Sequence, residues 1–186
     1  MRLILASGSP RRAELLASAG FDFEVHPADV DETPTSGESP IDYALRVARD
    51  KGRRSSAAVH DATTAILSAD TVVVAGAHML GKPADRADAV RMLEMLAGRV
   101  HEVHTAVVVR RGEDEAHEVV TTRVSFRPLS ADEIAWYVES GEPEGKAGAY
   151  AIQGRGARFI DWIEGSWSNV VGLPIATVYR LLARLR

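Results

Sequence analysis

Two apolar runs, Ala65-Ile-Leu-Ser-Ala and Val72-Val-Val-Ala, constrain the fold of this chain most. Neither alternates with polar residues, as a strand with one solvated face does. Continuous runs of this length are the pattern of interior strands covered on both faces. Asp70-Thr71 interrupts them, and an aspartate between two apolar runs is a poor choice for a core. Burying a carboxylate without a partner costs several kcal/mol, on the order of what a buried ion loses in hydration. Asp70 is therefore expected to cap a strand end at a cleft, accept hydrogen bonds or bind a cation; a loop-capping role fits the local pattern as well.

Around these runs, strands and helices alternate first and strands cluster later, which predicts a mixed sheet in an α/β protein. Leu3-Ile-Leu-Ala reads as a short buried strand. Ser9-Pro10 predicts a helix start, with serine as N-cap and proline at the first helical position. Leu15, Leu16 and Ala19 supply its apolar stripe, and Gly20 closes it. Residues 21–25 alternate as a strand should. After a polar loop over 29–40, Ser39-Pro40 opens a second helix, with Gly52 marking its weakening. Asp85 to Ala97 predicts a helix with Ala89, Met92, Leu93 and Leu96 inward. Strands over 103–109 and 118–126 flank a hairpin turn near Gly112. Ser130-Ala-Asp-Glu is a capping box opening a helix to about Ser140. Strands are expected around 159–163 and 167–171, and Pro174 opens the last helix.

Composition narrows the function classes. The chain has 186 residues, enough for one substantial core or two small lobes sharing one, and no internal repeat or linker divides it. It is 46% hydrophobic and 26% charged, as a globular protein is, and its formal net charge of −4 gives no reason to expect nucleic-acid binding. It contains no cysteine, which excludes disulfides, thiol nucleophiles and zinc–thiolate sites. No apolar run approaches the ~20 residues of a membrane span, and the apolar start is far shorter than the ~7–15 residues of a signal-peptide core. The expected location is the cytoplasm, with neither nucleic acid nor membrane as partner.

Four constellations could carry chemistry. In Ser7-Gly-Ser-Pro-Arg-Arg, a helix N-terminus offers unpaired N–H groups to an anion. Arg11 and Arg12 in the first turn oppose the helix dipole, a conflict that a bound anion would resolve. The pattern also fits a surface helix with solvated arginines, and it is not a P-loop. Asp70-Thr71 is the second. The third is a set of ionic residues at element boundaries: Glu32, Lys51, Lys82 and Lys146. Each alone is ordinarily solvated; together they suit a triphosphate, which needs cations against its oxygens and carboxylates to hold Mg²⁺. The fourth is Gly148-Ala-Tyr-Ala-Ile-Gln-Gly-Arg-Gly, where small residues admit a ligand and Gln153 can pair with a base edge presenting C=O and N–H. A glycine-rich turn explains the same stretch. No H-E-x-x-H and no Gly-x-Ser-x-Gly is present, and Trp136, Trp162 and Trp167 read as core or rim residues.

Taken in order, LASGSPRRAELL, DVDETP, RVARDK, SADTVVV, GKP, LSADEIAWYVESGEPEGKAGAYAIQG and IEGSWSNVVGLP resemble the Maf family of nucleoside triphosphate pyrophosphatases over nearly the whole chain. The resemblance implies a single Maf-like domain over 1–186: an α/β protein with a mixed, strongly curved sheet flanked by helices. Its two lobes would surround a cleft, similar to the inosine triphosphate pyrophosphatase fold. It implies hydrolysis between the α- and β-phosphates with Mg²⁺ or Mn²⁺, in a cytoplasmic homodimer. Asp70 falls on the family's proton acceptor, with Lys51 and Lys82 beside it as catalytic residues. Ser7, Arg12 and Glu32 fall on phosphate- and metal-handling positions, Glu32 joining Asp70 as a metal carboxylate. Arg11, Thr71 and Gln153 fall on base-selecting positions and match the branch acting on dTTP and UTP. Gly52 stands where the family usually has alanine, and glycine costs a helix about 1 kcal/mol, so Lys51 is expected to be held less rigidly. Two other readings stay open: a pyrophosphatase of broad specificity, and a non-catalytic nucleotide-binding regulator of septum formation.

Overall fold

The computed structural model describes residues 2–59 and 61–185. In chain order its elements are β1 (Leu3–Leu5), α1 (Pro10–Ser18), β2 (Glu24–Val25), α2 (Pro40–Ser56), β3 (Ala65–Ala75), β4 (His78–Leu80) and α3 (Arg86–Leu96). They continue with β5 (Val100–Arg111), β6 (Asp114–Phe126), α4 (Ala131–Glu139), β7 (Ile160–Glu164), α5 (Trp167–Val171) and α6 (Ile175–Arg184). The strands form one open seven-stranded sheet in the order β2-β1-β3-β5-β6-β7, with β4 also on β3. It is mixed: β1 pairs parallel with β2 and β3, whereas β4 pairs antiparallel with β3, and β7 with β6. The expected α/β class with a mixed sheet flanked by helices is borne out.

The chain divides into two compact units. The first comprises Met1–Asp70, Thr105–Val120 and Gly172–Arg186; the second comprises Thr71–His104 and Thr121–Val171.

In the first unit the run Ala65–Asp70 is buried throughout, as its continuous apolarity predicted. Alternation divides its side chains between two faces. Leu67 and Ala69 join Leu5, Leu16, Val107, Leu173 and Leu181 in the main core, while Ile66 packs with Ile4 and Ala6 on the other side. In the second unit α3 buries Ala89, Met92, Leu93 and Leu96, the four residues its periodicity selects. An aromatic cluster of His101, Phe126, Tyr137, Tyr150 and Phe159 forms a second apolar centre, its rings meeting edge to face.

Several expectations are corrected. Asp70-Thr71 does not break β3, which runs unbroken from Ala65 to Ala75 because Asp70 has a buried partner, described below. Gly52 does not weaken α2. It lies buried mid-helix, where an added Cβ would stand 2.9 Å from Ser68 Oγ, so its role is close approach to β3. Ser9 takes the N-cap position of α1 without a side-chain cap, and Ala19 is exposed. The closing Gly20 does behave as expected: at φ +76° its N–H donates to Ala17 O, and the Phe21 N–H to Leu16 O, as in a Schellman motif. The strand expected over 21–25 shrinks to Glu24–Val25. Trp167–Val171 is a helix, not a strand. Gly165 at φ +130° turns the chain, and Ser166 then caps it, its Oγ accepting from Asn169 N–H at 3.2 Å.

Candidate active site

The site of the first unit is built where α2 crosses β3. Ser39 caps α2, its Oγ accepting from Asp42 N–H at 3.1 Å, and Pro40 fixes the first helical residue. From there Tyr43, Val47 and Lys51 recur at intervals of four on one face. Close seating is secured by Ser68, whose Oγ donates to Ala48 O at 2.7 Å, with Gly52 leaving room for it. Lys51 Nζ thereby reaches Asp70 Oδ1 at 2.7 Å and Glu32 Oε1 at 2.6 Å. Lys51 and Asp70 are each 8% exposed. Of the roles open to Asp70, the structure shows hydrogen-bond acceptance from a buried ammonium.

Glu32 stands on the polar loop before α2, and two α2 side chains hold that loop. Tyr43 Oη donates to the Glu32 carbonyl at 2.9 Å. Arg46 grips both Glu38 oxygens, at 2.7 and 2.9 Å, and donates to Thr33 O at 3.1 Å. Burial, then the Asp70 and Glu32 charges, push the Tyr43 hydroxyl up to about 12, so it remains a donor. Arg46 and hydrogen bonds from Thr35 outweigh desolvation and bring Glu38 down to about 2. Neither Tyr43 nor Arg46 emerges from reading the sequence, although the spacing of Tyr43 from Lys51 is a legible signal.

Arg12 is buried at the start of α1. Its Nη1 donates to Ser7 Oγ at 3.0 Å, and its Nε to Gly172 O at 2.8 Å. Burial lowers its pKa from the ordinary guanidinium range, while the Asp70 and Glu32 carboxylates favour its charge. Arg11, half-buried, is shifted the same way by burial, and Glu14 opposes the shift. The arginine conflict at this helix start thus resolves differently for the two residues, since Arg12 turns inward onto Ser7 and a main-chain carbonyl.

Ser7, Arg11, Arg12, Glu32, Lys51 and Asp70 all belong to the first unit, and Thr71, Lys82 and Gln153 to the second. Thr71 follows Asp70 on β3, so alternation points it to the opposite face. Lys82 is exposed in a bend, and the preceding carbonyl, Gly81 O, accepts from Gly148 N–H at 3.0 Å. Gly148 is required there: at φ +69° it passes Val73 so closely that a Cβ would meet that side chain at 2.9 Å. Gln153 is exposed in the turn that follows.

Two oxygen-rich carboxylates converging on one cation suit a hard divalent ion such as Mg²⁺ or Mn²⁺. Among the described residues no group of three His, Asp or Glu side chains converges, so such an ion would draw its remaining ligands from substrate and water. His101 and His104 take structural partners instead, Tyr150 Oη and Thr121 Oγ1, both at 2.9 Å. Trp136, Trp162 and Trp167 are exposed, so none is a core residue. Among the described residues no helix is long and apolar enough to cross a membrane.

An open mixed sheet flanked by helices defines an α/β protein, and the Ham1 protein of Staphylococcus aureus has a similar fold. That structure aligns over 100% of both chains with a TM-score of 0.55 at 13% identity, a likeness of fold. Residues 2–185 match the Maf-like protein family, and the chain belongs to it. A dTTP/UTP pyrophosphatase of Koribacter versatilis (strain Ellin345) is 53% identical, covering 99% of this chain and 94% of its own length. One from Myxococcus xanthus (strain DK1622) is 50% identical, covering 98% and 91%.

Proposed function

We propose that this protein is a nucleoside triphosphate pyrophosphatase that hydrolyses dTTP and UTP to the monophosphate and pyrophosphate. The observation that carries the reading is the buried Lys51 bridging Asp70 and Glu32, in a chain about half identical to relatives bearing that activity in their names. A triphosphate is strongly anionic, so attack at the α-phosphorus needs its charge offset first. Arg12, the N–H groups at the start of α1 and Lys82 serve that purpose. An ammonium has three donors, so Lys51 can hold both carboxylates and still donate to a phosphate oxygen. Asp70 orients the attacking water and takes its proton as the new P–O bond forms; the bond from the α-phosphorus to the bridging oxygen breaks, and pyrophosphate leaves with the electron pair.

Glu32 and Asp70 would hold Mg²⁺ or Mn²⁺, which when bound offsets phosphate charge and acidifies water. Arg11, Thr71 and Gln153 take the base-selecting role, with the Gln153 amide matched to the O4 and N3–H edge of uracil or thymine. The test is pyrophosphate release across a panel of triphosphates with Mg²⁺, for the parent and Asp70→Asn. The expected result is preference for UTP and dTTP in the parent and loss of most turnover in a folded variant. Near-normal turnover in Asp70→Asn removes Asp70 as the base; equal use of all triphosphates removes the pyrimidine assignment.

A further inference from the structure

The turn that carries Gln153 is tied at both ends to one pair, the buried Tyr137 and the half-buried Glu142. Tyr137, fully buried on α4, donates through Oη to Glu142 Oε1 at 2.8 Å and accepts from the Ala151 N–H at 3.1 Å. Glu142 accepts in addition from Arg155 N–H at 2.9 Å and from Gly156 N–H at 3.0 Å. These two amides open a short 3₁₀ turn (Arg155–Phe159) that has no side-chain cap of its own, so Glu142 caps it from outside. Between the two anchor points the Gly154 N–H closes the turn onto Ala151 O at 3.2 Å.

The glycines of this stretch make the arrangement possible. A Cβ on Gly154 would fall on the Glu142 carboxylate, and one on Gly156 would meet Ala151 O at 2.8 Å and Tyr137 Oη at 2.9 Å. The small residues that read in the sequence as room for a ligand instead admit the protein's own carboxylate. Glu142 is held in turn through Ser140, whose Oγ accepts from Glu142 N–H at 3.2 Å and donates to Tyr137 O at 2.6 Å. Burial works against the Glu142 charge, yet the Arg155 and Gly156 amides and the Tyr137 hydroxyl outweigh it and hold the carboxyl below its usual range. Gln153, at the tip, is exposed.

We infer that Tyr137 and Glu142 are positioning residues for pyrimidine recognition: their brace presets the backbone of the Gln153 turn, leaving only the side-chain amide to be ordered by the base. This rests on the base-reading role of Gln153 proposed above. A preset turn removes an ordering cost that otherwise subtracts from binding. The site is anionic by design, because three donors converge on Glu142 and a carboxylate offers only acceptors. Glutamine of the same shape turns an NH₂ toward one of those donors.

The experiment compares Glu142→Gln, Tyr137→Phe and Gln153→Ala in the full chain with Mg²⁺. It reads KM and kcat for UTP and CTP and hydrogen exchange at the Arg155 and Gly156 amides. In the two brace variants KM for UTP rises about tenfold with kcat within about twofold, as loss of uniform binding requires. CTP, whose base edge differs, changes little, so the UTP-to-CTP ratio of kcat/KM falls about tenfold. Exchange at both amides quickens in Glu142→Gln. Equal losses on UTP and CTP, or unchanged exchange, overturn the inference. A ratio that collapses in Gln153→Ala but holds in both brace variants overturns the brace alone. A ratio unmoved in Gln153→Ala removes the base-reading role, and the inference with it, whatever the exchange shows.

Discussion

Replacing Gly52 by alanine tests how the seating of α2 on β3 builds the site. In an exposed helix this change stabilises by about 1 kcal/mol, because alanine is the better helix former. Here the new Cβ falls 2.9 Å from Ser68 Oγ and 3.3 Å from Arg110 Cδ. Ser68 can turn aside only by giving up its 2.7 Å bond to Ala48 O. A buried hydroxyl left unpaired costs about 1–3 kcal/mol, so the net expectation is a loss of up to about 2 kcal/mol. If α2 yields instead, Lys51 is drawn off Asp70 and activity falls with stability. Adding Ser68→Ala removes the obstructing hydroxyl, and the double variant should recover to the parent value or exceed it by up to about 1 kcal/mol. Urea unfolding with unchanged m-value reads the stability, and pyrophosphate release from UTP reads the site. A single variant more stable than the parent, or a double variant no better than the single, refutes the reasoning.

Three other outcomes are expected. Lys51→Met leaves the Asp70 carboxylate buried without its cation and should cost about 3 kcal/mol in urea unfolding, most of it recovered by adding Asp70→Asn; no recovery means that the pair is not what stabilises the crossing. His101 is held neutral by burial, its pKa lowered from 6.5 to about 4. The unfolded chain therefore takes up this proton first, and stability should fall as pH drops from about 6.5 toward 4, with the ring still neutral by NMR at about pH 5; a ring already protonated at about pH 6 contradicts this. Gly148→Ala forces a Cβ onto Val73 from a left-handed backbone and should cost about 2 kcal/mol, partly restored by Val73→Ala; a neutral effect in thermal unfolding argues against the close passage.

What the sequence made legible was local. The inward residues of α3, the capping box of α4 and the double burial of Ala65–Ala69 follow from period and cap chemistry, and all appear as expected. Asp70 needs a partner, because an unpaired carboxylate does not survive in such a strand. Its partner lies 19 residues earlier on another element, and nothing in spacing reveals that distance. Arg12 is held by a carbonyl 160 residues away, so its inward turn could not be read from the helix it begins. The Trp167–Val171 helix has the same origin: Val170 and Val171 favour a strand, and Ser166, capping from the preceding turn, decides for the helix. The roles of Tyr43, Arg46, Tyr137 and Glu142 depend on hydrogen bonds to backbone atoms, which any sequence supplies and none announces.

The division of the chain bears on how the protein is made. The backbone passes from one unit to the other after residues 70, 104, 120 and 171, so neither unit is a contiguous piece of the gene product. Leu3, Leu5 and Leu16 are synthesised well before their core partners Leu173, Val178 and Leu181. The carbonyl that holds Arg12 belongs to Gly172. A nascent chain that has not reached that codon therefore carries every acidic and basic group of the first unit's site but lacks the carbonyl that aims Arg12. The first unit's core is thus completed only after the second unit's segments have been synthesised.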